Sequence, residues 1–370
     1  MRIHVARQFT ICTMFALAVG ACASASPSAN PSASPATSPS AVPSASPSTA
    51  TSSTRPATPS ASASEVPPAA EFVWKATSPK GDLIPNGIVR DPKGRLWVSD
   101  PYNDRFAIFT TDGVFVEFWG GRGGGDGQFR LTRRNGDGYG AIAFAPDGSF
   151  YVLDVGNYRV QKFDAKRQFA KAWGSLGSGP GQYQDPVGIA VGRDGRVHIL
   201  DDVRGVVETY DANGKVLGSF SAFIGGVAKH NGANSLALDA AGDFYVSLAD
   251  PNQVQRFDQN GRPTMTYGAP GSGPGVFHEQ PQMMSVDAAG RLFVTQGPQR
   301  GDRPGVLVFG ADGRYLTGWA SPGSADGDMA WPSGILVDSK GDVYVSDRGT
   351  MPDAGQPSRI EKFHGPSFAP

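Results

Sequence analysis

YGAIAFAPDGSFYVLDVGNYRVQKFDAKRQFAKAWG, residues 139–174, holds four short apolar runs, AIAF, SFYVLD, RVQKFD and QFAKAW, divided by APDG, VGNY and DAK. Each run has strand length and its own turn punctuation, and no helical period competes with them, so the stretch predicts one four-stranded antiparallel sheet. Five further copies align with it on the glycine that ends the first turn: Gly94, Gly148, Gly195, Gly242, Gly290 and Gly341, at spacings of 54, 47, 47, 48 and 51 residues. One such sheet cannot bury both its faces alone. Stacking six around an axis does so, and the expectation is an all-β, six-bladed propeller.

The sixth copy shows how the ring would close. The fourth strands of the first five end in Trp119, Trp173, Phe220, Tyr267 and Trp319, whereas the sixth copy reaches IEKFH at 360–364 and has six residues left. The missing strand is expected at the other end of the domain, EFVWK at 71–75, with Trp74 at the aromatic position. Pairing it with the last blade would tie down both termini and remove sheet edges.

With these residues in hand, the repeats resemble NHL repeats: a small apolar strand, a DxxG turn, an aromatic-rich strand ending in Asp, an Asn-x-Arg turn, a strand ending Phe-Asp and a Gly-rich loop. The second copy carries Asp154, Asn157, Arg159, Phe163 and Asp164 at those points, and the loop recurs as GGGDGQF, GSGPGQY and GSGPGVF. The pattern departs at Gln296, which replaces the strand-ending Asp of copy five, and at Arg204-Gly205 in copy three. The resemblance implies the fold but no single activity, because the family includes lyases, sensor domains and protein-binding modules. The zinc histidines of its amidating lyases begin inner strands, where this sequence has none.

Before the repeats lie two segments of different character. Residues 1–21 carry Arg2 and Arg7, an apolar run from Ile11 to Val19, then Gly20-Ala21 before Cys22, an order that resembles the lipobox of bacterial lipoproteins. Cys22 is the expected lipidation site. Residues 22–70 are almost entirely Ser, Ala, Pro and Thr and cannot bury a core, so they read as a disordered tether with a coil reach of about 40 Å. The propeller occupies 71–370. The expected location is the outer side of the bacterial cytoplasmic membrane, in the cell envelope, lipid-anchored. Both cysteines, Cys12 and Cys22, precede the propeller, which excludes a Cys-ligated zinc, a thiol nucleophile or a disulfide framework there. Loss of Arg2 and Arg7 leaves 31 basic against 34 acidic residues, a near-neutral balance that gives no reason to expect nucleic acid.

Connection lengths separate the two faces of the ring. The long blade-to-blade loops, and the loops QGPQRGDRPG and DRGTMPDAGQPSR between second and third strands, all leave on one face, which is where binding residues are expected. The residues just before the inner strands, Asn86, Gly140, Val187, Asn234, Gln282 and Ser333, should rim the central channel. Of these, Asn86, Asn234 and Gln282 are the ligand candidates. Their amide oxygens would suit a cation, calcium or zinc, or a polar ligand, as in lactonase-type propellers, or alternatively only channel waters and backbone. Loop-face candidates are Arg122, Arg130, Arg133 and Arg134 for an anionic or acidic partner, and His230 and His278, which lie on successive loops. His198 occupies an aromatic position of strand two and reads as a packing ring. Asp100, Asp154, Asp201 and Asp347 open turns and read as caps for backbone N–H groups. No cofactor and no catalytic residue is assigned. The leading expectation is a binding module for an envelope protein, peptide or cell-wall glycan; the alternative is a metal-dependent hydrolase or lyase, lactonase-like, at the channel.

Overall fold

A computed structural model describes residues 70–223, 232–268, 273–298, 303–349 and 357–367. The expected signal segment, Cys22 and the tether as far as residue 69 lie outside these residues, as does His230. The fold is the expected one: six four-stranded antiparallel sheets arranged as a propeller. The first blade comprises β2 (Ile88–Arg90), β3 (Leu96–Asp100), β4 (Arg105–Phe109) and β5 (Phe115–Trp119). The second comprises β6 (Ala141–Phe144), β7 (Phe150–Asp154), β8 (Arg159–Phe163) and β9 (Phe169–Trp173). In the third follow β10 (Pro186–Val191), β11 (Val197–Asp201), β12 (Val206–Tyr210) and β13 (Val216–Ser221). The fourth holds β14 (Ala233–Leu238), β15 (Phe244–Ala249), β16 (Asn252–Phe257) and β17 (Pro263–Tyr267). β18 (Pro281–Val286), β19 (Leu292–Gln296), β20 (Val306–Phe309) and β21 (Tyr315–Trp319) make the fifth. The sixth is β22 (Pro332–Val337), β23 (Asp342–Asp347) and β24 (Arg359–His364), completed by β1 (Glu71–Ala76).

Apolar area is buried between blades. Second strands such as β3, β7 and β11 are buried at every residue because a neighbouring blade covers each face, whereas the outer β9 is mostly exposed. One core cluster joins Trp97, Phe106 and Phe129 of the first repeat to Phe150 and Phe163 of the second. The six glycines that register the repeats all have positive φ, 75° to 91°, a conformation only glycine adopts without strain, which is why the turn ends on that residue every time. In the Gly-rich loops Phe129, Tyr183 and Phe277 fold back into the gap between blades. A Cβ on Gly120 would lie 2.6 Å from Phe129 and one on Gly174 2.4 Å from Tyr183, so the glycine opening each loop makes room for the aromatic ring that closes it.

Closure differs from expectation in register. β1 pairs with β24, but Ala76, not Trp74, stands opposite Ile360, the place that corresponds to Trp119 opposite Phe106. The irregularity between Phe72 and Trp74 is not particular to this junction, since each other blade has one at the same place between its third and fourth strands. Trp74 nonetheless packs as the other fourth-strand aromatics do, against Tyr344 and directly over Gly113 in the last turn of the first blade, as Trp173 lies against Tyr151 and over Gly214, and so covers the seam where the ring meets itself.

Candidate functional site

The strand-ending acids hold the long loops to the scaffold. Asp100 accepts hydrogen bonds from the Ile84 N–H (3.2 Å) and Arg105 Nε (2.8 Å), and Asp154 from the Arg130 N–H (2.7 Å) and Arg159 Nε (2.8 Å). Asp201 takes the Gln184 and Arg204 N–H groups, and Asp347 those of Ala330, Trp331 and Gly349. Burial raises the pKa of Asp100, Asp201 and Asp347 against these bonds, as expected of acids taken out of water to serve as caps. The departure at Gln296 is chemically minor: its Oε1 accepts from the N–H groups of His278 (3.0 Å) and Glu279 (3.2 Å), the same task done by an amide. Copy four has Leu248 at this position, and there Asp202 of the preceding blade takes the Ala233 N–H at 2.7 Å.

On the long-loop face these anchored segments surround a cavity of about 1040 Å³ at the mouth of the channel. Its wall includes Ile84, Asn86, Gly138, Tyr139, Gln280, Gln282, Trp331 and Arg348, with Tyr102, Asp82 and Asp137 at its rim. Deeper along the axis the inner strands of all six blades leave only about 100 Å³, lined by small and apolar residues such as Gly140, Val187, Ile189, Met283 and Ile335. The mouth is therefore the roomy part of the channel, and the charged and amide side chains lie there.

Its floor is built by the longest loop. Arg133 pairs with Asp185 through both Nε (2.7 Å) and a terminal nitrogen, approaches Asp202 at 3.6 Å, and lies 4.9 Å over the Tyr139 ring. The Tyr139 hydroxyl, its pKa raised by burial, donates to Asn234 Oδ1 at 2.9 Å. A segment between the first and second blades is thus latched to the third and fourth, across the channel.

Among the channel candidates, Asn86 and Gln282 line the cavity, whereas Asn234 lies at the floor with its oxygen on Tyr139 and its nitrogen on the Pro281 carbonyl. Asn86 Nδ2 donates to the Gly138 carbonyl, and Gln282 Nε2 to that of Gln280 (3.3 Å). The four loop arginines do not form one patch. Arg133 is the latch; Arg134 lies over Tyr158; Arg122 is 82% exposed near Asp104; Arg130 is exposed, and none of the four lines the cavity. His278 is half-buried, held by its backbone to Gln296. His198 is buried edge-on to Phe244 and bonded to Thr209, and burial lowers its pKa to about 4. Among the described residues no three His, Cys, Asp or Glu side chains converge as a metal cluster would require. Asp82, a carboxylate of the cavity lining four residues before Asn86, has its pKa lowered by its bond to Arg105.

Tyr102, Tyr139, Trp331 and Arg348 were not singled out by the sequence reading. One signal was present: the position after each strand-ending residue reads Pro101, Val155, Asp202, Ala249, Gly297 and Arg348, so the arginine answers no need of the repeat.

No family model matches the sequence, and no curated protein matches it. Solved structures do. A streptogramin B lyase superposes with a TM-score of 0.53 at 13% identity, covering 80% of this chain and 97% of the other. An inactive virginiamycin B lyase from Staphylococcus aureus with quinupristin gives 0.52 at 14%, covering 78% and 87%. A gluconolactonase from Xanthomonas campestris gives 0.53 at 16%, covering 84% and 99%. At such identities the likeness is one of fold alone: the chain is a six-bladed β-propeller, and these lyases and lactonases are among its structural neighbours.

Proposed function

We propose that the protein is an envelope recognition domain, lipid-anchored through Cys22 and carried on the 22–70 tether, that takes a sugar ring of an envelope glycan into the channel-mouth cavity. The cavity itself carries this reading. Its 1040 Å³ suits a disaccharide-sized ligand, and its wall combines flat rings, Tyr102 and Trp331, with planar amides, Asn86, Gln280 and Gln282. Rings offer a face to the C–H side of a pyranose, and amides donate to and accept from its hydroxyls. A tether raises the local concentration of such a module near its polymer.

The hydrolase or lyase reading draws on the activities named for the fold neighbours, and its difficulty is the donor set. Asn234 Oδ1 already accepts from Tyr139, Asp82 faces Arg105 at 2.9 Å, and hard-cation sites are built from several carboxylate or carbonyl oxygens. The test is calorimetric titration of the chain with a disaccharide of N-acetylglucosamine and N-acetylmuramic acid. Saturable binding is expected, weakened about ten-fold or more in Trp331→Ala when both proteins are titrated well below the variant's own melting temperature. Absence of heat up to about 10 mM ligand, or equal affinity in the variant, would sink the reading.

A further inference from the structure

The wall of the cavity contains one guanidinium whose position no feature of the blade explains. Arg348 follows Asp347, yet Asp347 accepts from three backbone N–H groups and faces Arg359 at 3.6 Å. No carboxylate lies within ion-pair distance of Arg348 among the described residues, in contrast to Arg105, Arg133, Arg159, Arg204 and Arg359, each of which meets an acid. Its backbone is fixed at both ends, the N–H on the Trp331 carbonyl (3.0 Å) and the carbonyl on Ser358 Oγ (2.7 Å).

The side chain is held as well. One terminal nitrogen donates to the Tyr102 hydroxyl at 2.8 Å, and the guanidinium carbon sits 5.6 Å from the Tyr102 ring centroid and 5.0 Å from that of Trp331. Two aromatic rings orient the cation without neutralising it, since neither carries a charge at neutral pH. A planar, half-buried, pre-oriented guanidinium with no carboxylate within ion-pair distance among the described residues, at the mouth of a large cavity, is built to receive an oxyanion from outside, and a carboxylate, the oxyanion that a sugar ring itself carries, fits its fork bidentately.

We infer that Arg348, clamped between Tyr102 and Trp331, is a carboxylate-recognition site, and that the ligand of the cavity is an acidic sugar: a pyranose bearing a carboxylate. This rests on the glycan reading above and narrows it. The carboxylate has two sources among sugars, a lactyl ether as in N-acetylmuramic acid or a uronic acid, and both present the same group beside a ring.

The test compares three disaccharides on the full chain by calorimetry: one ending in N-acetylmuramic acid, one in glucuronic acid, and the methyl ester of the first. At least one acid should bind about ten-fold or more tightly than the ester, and the tighter acid identifies the source. Arg348→Gln should bring acid and ester to one affinity, with the melting temperature unchanged. Arg348→Lys, which keeps the charge and loses the fork, should give intermediate discrimination, and it also serves should the glutamine variant fold poorly. Equal binding of acids and ester to the parent protein, or discrimination that survives Arg348→Gln, overturns the carboxylate inference while leaving glycan recognition standing. Binding of none of the three overturns both.

Discussion

His198 shows how one residue can keep its place in a repeat and change its physics. Its equivalents on strand two are Trp97, Tyr151, Tyr245, Phe293 and Tyr344, and it packs as they do, between blades. Unlike them it is a base that can take up a proton in mild acid. Burial lowers its folded pKa from the ordinary 6.5 to about 4, so between these values the unfolded chain binds the proton and the folded one does not. Stability from this residue is therefore intact above pH 6.5 and falls as pH drops toward 4, by up to about 3 kcal/mol. His198→Phe should remove that component. Chemical denaturation across this pH range should show a smaller loss of stability on acidification for the variant than for the parent, and parallel curves would mean that His198 is not buried neutral.

At the scale of the element, the unusual strand is β1, which sits last in space and first in sequence. Its existence was legible because the sixth copy lacks a fourth strand and EFVWK supplies one. Its register was not, because a two-residue slide keeps the same faces in and out and so leaves the alternation unchanged. The packing of Trp74 on Tyr344 and over Gly113 does not distinguish the two registers either, since Trp173 lies in the same way on Tyr151 and over Gly214; only the strand pairing with β24 does, and it joins residues from opposite ends of the domain. Trp74→Ala should lower stability by about 2 kcal/mol, less than a full core truncation because the ring is half-buried. Hydrogen exchange should show protection lost first in β1 and β24; uniform loss around the ring would argue against a local clasp. The strand-ending acids were legible for a related reason: the capping bond is made within its own repeat in five of the six copies, by Asp in four and by Gln296 in one, so Leu248 of copy four stands out as the exception.

For the whole molecule, the mouth cavity could not be read from the repeats, because it is made by what the repeats do not share. Tyr102, Trp331 and Arg348 occupy positions that other blades fill differently, and Tyr139 reaches Asn234 across the channel only because a loop between two blades is latched onto the next two. The arginine run of that loop looked like a surface patch in sequence; the structure places Arg133 beneath the cavity floor. Arg133→Ala removes the cation facing Asp185 from a mostly buried pair, and a cost of about 2 kcal/mol is expected. Exchange should rise across residues 131–140, and affinity for any cavity ligand should fall with it; an unchanged exchange pattern would show that Tyr139 holds the floor unaided.

The strand that completes the last blade also puts the chain out of phase with its own architecture. Sequence repeats run from inner to outer strand without interruption, whereas the structural blades are cut one strand later at a single place, so that Glu71 faces His364 across the junction. Ring size and ring closure are consequently independent variables. A whole repeat of about 47 residues could be gained or lost between two blades, as duplication within a gene would do, and the junction would still be made by the same two strands. The mouth, assembled from residues peculiar to single blades, is the part that such a change would alter.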